Sequence, residues 1–254
     1  SQQLGAVLDR QTNVARADMQ GLYRTLDFSA ADGSVISAAL RQLTPEMYST
    51  LLTQNLEREH QISDLISARA FLSPFASSVE TEELGVWRGF ASAFGGKSKQ
   101  NQKNTMMAYS ASNFGAVFGA EKQSADHPNW IWGFHGAAST QTVNSDTSYA
   151  AKGEATAFHL GLHTRYAADP LNGPYLFGHG RVGIASDKME RAIHIQDYSD
   201  NHQANWTSWN GSLLLGGGYR WAVNEALSIG PIATLDYTLL ARPGVNESGR
   251  DTSI

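Results

Sequence analysis

The sequence predicts a mainly β protein: an antiparallel, up-and-down, transmembrane β-barrel preceded by an α-helical linker. Three observations carry that prediction. Composition changes abruptly near residue 84; the residues after it alternate apolar and polar with period two in runs of about ten; and the joints between those runs alternate long and short.

The change of composition defines two regions, 1–84 and 85–254. The first holds 6 Lys and Arg against 11 Asp and Glu, so all of the net charge of −5 lies there. Only 3 of the 24 glycines and none of the 6 tryptophans precede Gly85. Helical spacing dominates this first region. Residues 10–26 place Val14, Met19, Leu22, Tyr23 and Leu26 three to four apart, and Ser34 can cap a short helix carrying Val35, Ile36, Ala39, Leu40 and Leu43. Thr44 before Pro45 is a stronger start, and neither Pro nor Gly recurs until Pro74. A helix over residues 45–72 would be roughly 42 Å long at ~1.5 Å per residue, enough to cross a membrane's apolar layer. Tyr48, Leu51, Leu52, Ile62, Leu65 and Ile66 give it an apolar stripe, and Gln54, Asn55, Glu57, Arg58, Glu59, His60 and Asp64 a polar middle.

The second region predicts seven strands. In residues 129–139 Trp130, Trp132 and Phe134 share one face and Gly133, His135 and Ala137 the other. In 157–166 Phe158, Leu160, Leu162 and Tyr166 oppose His159, Gly161, His163 and Arg165. In 210–221 Leu213, Leu215, Tyr219 and Trp221 oppose Ser212, Gly216, Gly218 and Arg220. In 227–239 Leu227, Ile229, Leu235, Tyr237 and Leu239 oppose Ser228, Thr234, Asp236 and Thr238. Weaker alternation marks 86–95, 107–121 and 175–185. Runs of this length suit tilted outer-membrane strands better than soluble ones, which average about five or six residues.

Long polar segments are expected at 96–105, 142–153 and 186–205, and short joints at 123–128, 168–174 and 223–225. Barrels of this kind have long external loops and short periplasmic turns, so the first strand is expected to start on the periplasmic side. The long helix then returns from outside through the lumen, where its charged middle can meet lumen-facing Arg88, Arg165 and Arg220. Trp130, Trp132, Phe158, Leu160, Leu215, Tyr219, Trp221 and Tyr237 are expected to face lipid or form the interfacial girdles.

Other chemistries find little support. A formal net charge of −5 and the lack of a long basic run argue against nucleic acid as a partner. Without cysteine there is no disulfide, thiolate nucleophile or Cys-ligated metal. No apolar run reaches the roughly 18 residues of a spanning helix. There is no G-x-S-x-G elbow, Walker loop or HExxH, and the glycines at 216–218 precede no capped helix. They are expected to let a helix or a neighbouring strand approach the wall. His135, His159 and His163 share a face, but no carboxylate sits at a fitting spacing beside them, so neutral polar side chains in a wet lumen explain them better than a metal. No cofactor and no catalysis are expected. The opening SQQLGAVLDR is not a signal peptide, so a longer parent protein is expected.

With these residues in view, the chain resembles the autotransporter translocator family of type V secretion. NVARADMQGLYRTLDFSAADGSVISAALRQLTPEMYSTLLTQ resembles its pre-barrel linker, VWRGFASAFGG its opening strand, and FGAVFGAEKQ and NWIWGFHGAAS its second and third; LGLHTRY, GSLLLGGGYRW and LDYTLLARPGVNESG continue in order. The ordered series, rather than any one degenerate motif, carries the resemblance. It implies a monomeric twelve-stranded barrel in the outer membrane of a Gram-negative bacterium, about seven of whose strands are present here. It also implies a passenger preceding Ser1 and displayed outside, and assembly by periplasmic chaperones and the barrel-assembly machinery. Some members cut the passenger off at paired Asn residues in the helix, whereas only Asn55 stands here. Two alternatives are another outer-membrane barrel, such as a porin or barrel enzyme, and a soluble β-sandwich. In a sandwich Trp132, Leu160 and Leu215 would point at one another across a packed interior.

Overall fold

A computed structural model describes residue 25 and residues 34–72, 84–102, 107–146, 150–169, 172–196, 198–224 and 227–249. The helix expected over 10–26 lies outside these, apart from Thr25. Two helices come first, α1 (Ser34–Gln42) and α2 (Glu46–Leu72). Eight strands follow: β1 (Arg88–Gln100), β2 (Tyr109–Gln123), β3 (Trp130–Ser145), β4 (Ala151–Ala167), β5 (Gly173–Ile195), β6 (Tyr198–Asn224), β7 (Leu227–Ile229) and β8 (Ile232–Ala241). Each pairs antiparallel with its predecessor up to β7, and β8 also pairs β6. The result is one up-and-down sheet curved around α2, with β1 and the β7–β8 pair as its edges. β7 and β8 are the expected seventh strand, broken at Gly230 and Pro231; proline has no N–H to give the ladder.

The expected lengths need a larger correction. Residues 142–153 and 186–205 are not long loops. β3 and β4 run on to a connection at 146–150, and β5 and β6 to one at 196–197. Their alternation continues, but the apolar side changes from the outer to the inner face. On β5 the apolar residues point outward at Leu176, Val182 and Ile184 and inward at Met189, Ile193 and Ile195. A search for one continuous greasy face therefore stops where the faces exchange roles.

Outward residues on the expected lipid side are solvent-accessible. Trp132, Leu160 and Leu215 are 44%, 72% and 53% exposed, which rules out a packed sandwich interior. Trp130, Phe158, Tyr219, Trp221 and Tyr237 are exposed as well. Ala138, Phe158, Ile184 and Trp209 are successive register partners, and beyond them the outer face turns to Thr140, Thr156, Ser186 and Thr207. On β6 the outward apolar series spans residues 209–221. At ~3.3 Å per residue and a tilt of about 40° that is roughly 30 Å of height, close to the ~25 Å apolar band of outer-membrane barrels.

Glycines admit close packing on the inner face. Gly216 lies opposite Phe177 and Gly218 opposite Tyr175 in the β5–β6 register, and each leaves room that a Cβ would fill against its partner's ring. The glycine run thus admits a neighbouring strand's rings rather than a helix.

Candidate functional site

α2 is polar because it lies against a polar wall. Its first turns pack apolar groups at the end of the sheet that carries the long hairpins: Met47, Tyr48 and Leu51 join Met107, Val143, Ala151, Met189 and Ala204. Farther along, Ile62 and Ile66 meet Val117 and Ala137, with Phe90 and Phe94 beside them. Arg69, in the last turn, reaches Glu121 near the end with the short turns. The helix therefore runs the height of the wall, ~40 Å for its 27 residues.

Between the apolar contacts lie two ionic anchors of opposite construction. In the upper one the helix supplies the carboxylate. Glu59 accepts from His159 Nε2 at 2.9 Å and from Asn210 Nδ2 at 3.3 Å, and its second oxygen accepts from Arg181 at 3.3 Å. Arg181 also donates to the Glu59 carbonyl at 2.5 Å and to Ser63 at 2.8 Å, so one guanidinium holds both side chain and backbone of the helix. Arg58 adds a contact at 3.3 Å. Arg58 and Glu59 are each 1% exposed, so this charge is sealed from water. In the lower anchor the wall supplies the carboxylate. Glu121 of β2 accepts from Arg69 at 2.9 Å, His163 at 3.2 Å and Arg165 at 3.5 Å, while Arg165 also donates to the Arg69 carbonyl. His135 and His163 share a hydrogen bond between their Nδ1 atoms at 3.2 Å.

The expected polar face of the helix divides. Asn55 donates to Asp187 at 3.0 Å, Gln54 accepts from Ser98 at 3.3 Å, and Arg58 and Glu59 are in the upper anchor. Glu57 and Asp64, with His60, are exposed on the side of α2 that the described sheet leaves open. Of the six wall residues, His135, His159, His163 and Arg165 meet in the two anchors. Arg88 is half-buried at the start of β1, and Arg220 lies over the Tyr175 ring at 5.2 Å. The expectation that no carboxylate accompanies the histidines is also corrected. Glu59 arrives from another element and Glu121 from the neighbouring strand, which in-chain spacing does not reveal. Even so, among the described residues no group of three or more His, Cys, Asp or Glu is arranged to hold a metal ion.

Sequence reading missed Arg181, Glu121, Asp187 and Arg69. Arg181 had a signal, since it shares the parity of Phe177, His179 and Gly183. Asp187 lay in a segment read as loop. Above the anchors Arg191 grips Glu247 through two hydrogen bonds, at 2.9 and 2.6 Å, and donates to the Gln42 carbonyl at 3.0 Å, while Tyr48 donates to Glu247 at 2.7 Å. The α1–α2 junction is thereby tied to β5 and to the segment after β8.

Residues 89–254, which carry this wall, match the family model of the autotransporter β-domain. The chain belongs to that family. The autotransporter β-domain chain is 22% identical to an extracellular serine protease of Serratia marcescens over 219 residues. That match takes in 84% of this chain and 20% of the protease, so the chain spans about a fifth of that relative. In fold it resembles the translocator domain of the autotransporter NalP from Neisseria meningitidis, with a TM-score of 0.56 at 14% identity, covering 78% of this chain and 64% of that one.

Proposed function

We propose that this autotransporter β-domain anchors its parent protein in the outer membrane of a Gram-negative bacterium, guides an N-terminal passenger to the cell surface, and keeps α2 as a plug. The supporting observation is the pairing of opposites across one wall. A band of outward Trp, Phe, Leu and Tyr faces hydrocarbon, with Trp130, Trp132, Tyr219 and Trp221 as the girdle near the short turns and Phe158, Leu160, Leu215 and Tyr237 along the band. The inner side of the same strands holds a charged helix that has no place in lipid. In this reading residues 1–84 are the passenger's end and the linker, and residues 85–254 are barrel.

The long hairpins face outside and the short turns the periplasm, so α2 enters from the outside and descends. Periplasmic chaperones and the barrel-assembly machinery are its assembly partners, lipid its surroundings, and the barrel is monomeric. The chain's role is passage and retention, with no catalytic step.

Protease treatment of intact cells making the full-length protein, with epitopes before residue 1 and in the 168–172 turn, tests this. The passenger epitope is expected to disappear while the turn epitope persists until the outer membrane is opened. Protection of the passenger in intact cells would overturn the orientation.

A further inference from the structure

The three long hairpins do not carry charge alike. On the outer face of β4 and β5, Lys152 pairs with Glu154 and Lys188 with Glu190, each at 2.6 Å. The β1–β2 hairpin has no such balance: from Gly95 to Ala120 the sequence holds Lys97, Lys99 and Lys103 and no Asp or Glu. Lys97 and Lys99 are exposed on the outer face, and neither makes an ion pair among the described residues.

Beside Lys97 a shallow depression of about 430 Å³ opens, lined on the outer face by Ser112, Phe114, Thr140 and Thr142. Lys97 and Ser112 are register partners, as are Ser112 and Thr142, and Phe114 and Thr140. Cation, hydroxyls and ring thus form one continuous patch across three strands. Its height is also set. Lys97 and Ser112 are the first outward positions beyond Gly95 and Phe114, and the partner of Phe114, Thr140, belongs to the row where the outer face turns polar. The patch therefore stands at the level at which hydrocarbon gives way to headgroups.

We infer that this patch binds a phosphorylated glycolipid of the outer leaflet. Lys97 and Lys99 take the phosphate, the hydroxyls of Ser112, Thr140 and Thr142 bond the sugar, and an acyl chain lies along Phe114 and Phe118. The chemistry requires all three parts. An uncompensated cation pair at the interface attracts phosphate, adjacent hydroxyls both donate and accept toward a sugar, and exposed rings directly beneath suit an acyl chain better than water. The inference rests on the membrane orientation proposed above.

The full-length protein, purified in zwitterionic detergent, would be titrated with a bis-phosphorylated acylated disaccharide (lipid A), with its dephosphorylated form and with phosphatidylglycerol, bound lipid being counted by native mass spectrometry. Wild type is expected to prefer the phosphorylated disaccharide. Lys97→Glu with Lys99→Glu should weaken it tenfold or more, Ser112→Val with Thr140→Val severalfold, and Lys188→Glu not at all. Unchanged affinity in the lysine variant overturns the site, and so does phosphatidylglycerol binding as well as the disaccharide. If the orientation itself were wrong, every variant and wild type alike would fail the intact-cell protease assay, whatever the lysines do.

Discussion

β5 contains two environments in one strand. From Leu176 to Ile184 the outward apolar side chains are Leu176, Val182 and Ile184, and the inner positions are Phe177, His179, Arg181 and Gly183; from Met189 to Ile195 the apolar side chains point in and Lys188 and Glu190 point out. The backbone ladder to β4 and β6 continues across the change without a register shift. What differs is the outer medium. Where hydrocarbon covers the outside, polarity is allowed only within; where water covers it, the inside becomes an ordinary core against α1 and α2, with Ala39 on Ile193 and Ile195, and Leu51 near Met189. The level of the exchange therefore reports the edge of the membrane.

The largest test strikes the polar inside of the lower region. Glu59→Ala leaves Arg58, Arg181 and His159, all of them buried, without the carboxylate that joins them. Removing one partner from a buried ionic cluster costs about 3–5 kcal/mol. In the full-length protein reconstituted in vesicles, the unfolding midpoint should fall accordingly. A fall under ~1 kcal/mol would mean that water reaches the anchor and that the inside of the band is no drier than the hairpins.

Next is the outer face, probed at two levels with one substitution. Leu160→Arg puts a cation in the apolar band, where the cost is about 2–4 kcal/mol near the midplane. Asn205→Arg, also outward but opposite Lys188 and above the exchange, should cost almost nothing. Equal costs at the two positions would remove the membrane edge from between them.

The inversion also explains what the sequence disclosed. α2 was readable from the Thr44–Pro45 start and the long stretch free of Gly and Pro, and the strands in the band from Trp, Leu and Phe on one parity. The hairpin extensions were not, because residues 186–205 lose the outward greasy face, and Met189 and Ile193 were not sought on the other. The anchors were half readable. Parity placed His135, His159, His163 and Arg165 on the inner face, but pairing Glu59 with Arg181 or Arg69 with Glu121 needs the rotation of α2 and its height in the sheet. Spacing along the chain contains neither. Glu57 and Asp64 look like Glu59 in sequence and differ only in which side of the helix the wall reaches.

The smallest effect is expected at the outer ion pairs of the water-covered region. Lys188 lies 2.6 Å from Glu190, and its hydrogen bond and charge hold the Glu190 carboxyl below its ordinary value; both side chains are open to solvent. A carboxyl whose folded value is depressed contributes stability above the unfolded value and loses it as pH falls through the folded one. Exposed pairs of this sort are screened by salt and offset by side-chain entropy. Lys188→Ala should therefore leave the midpoint nearly unmoved at neutral pH. Any difference from wild type should shrink in high salt and vanish on acidification through the carboxylate range. A difference that survived acid or salt would show that Lys188 packs against something besides Glu190, and that the outer face above the exchange is less wet than Thr156, Thr207 and Asn205 indicate.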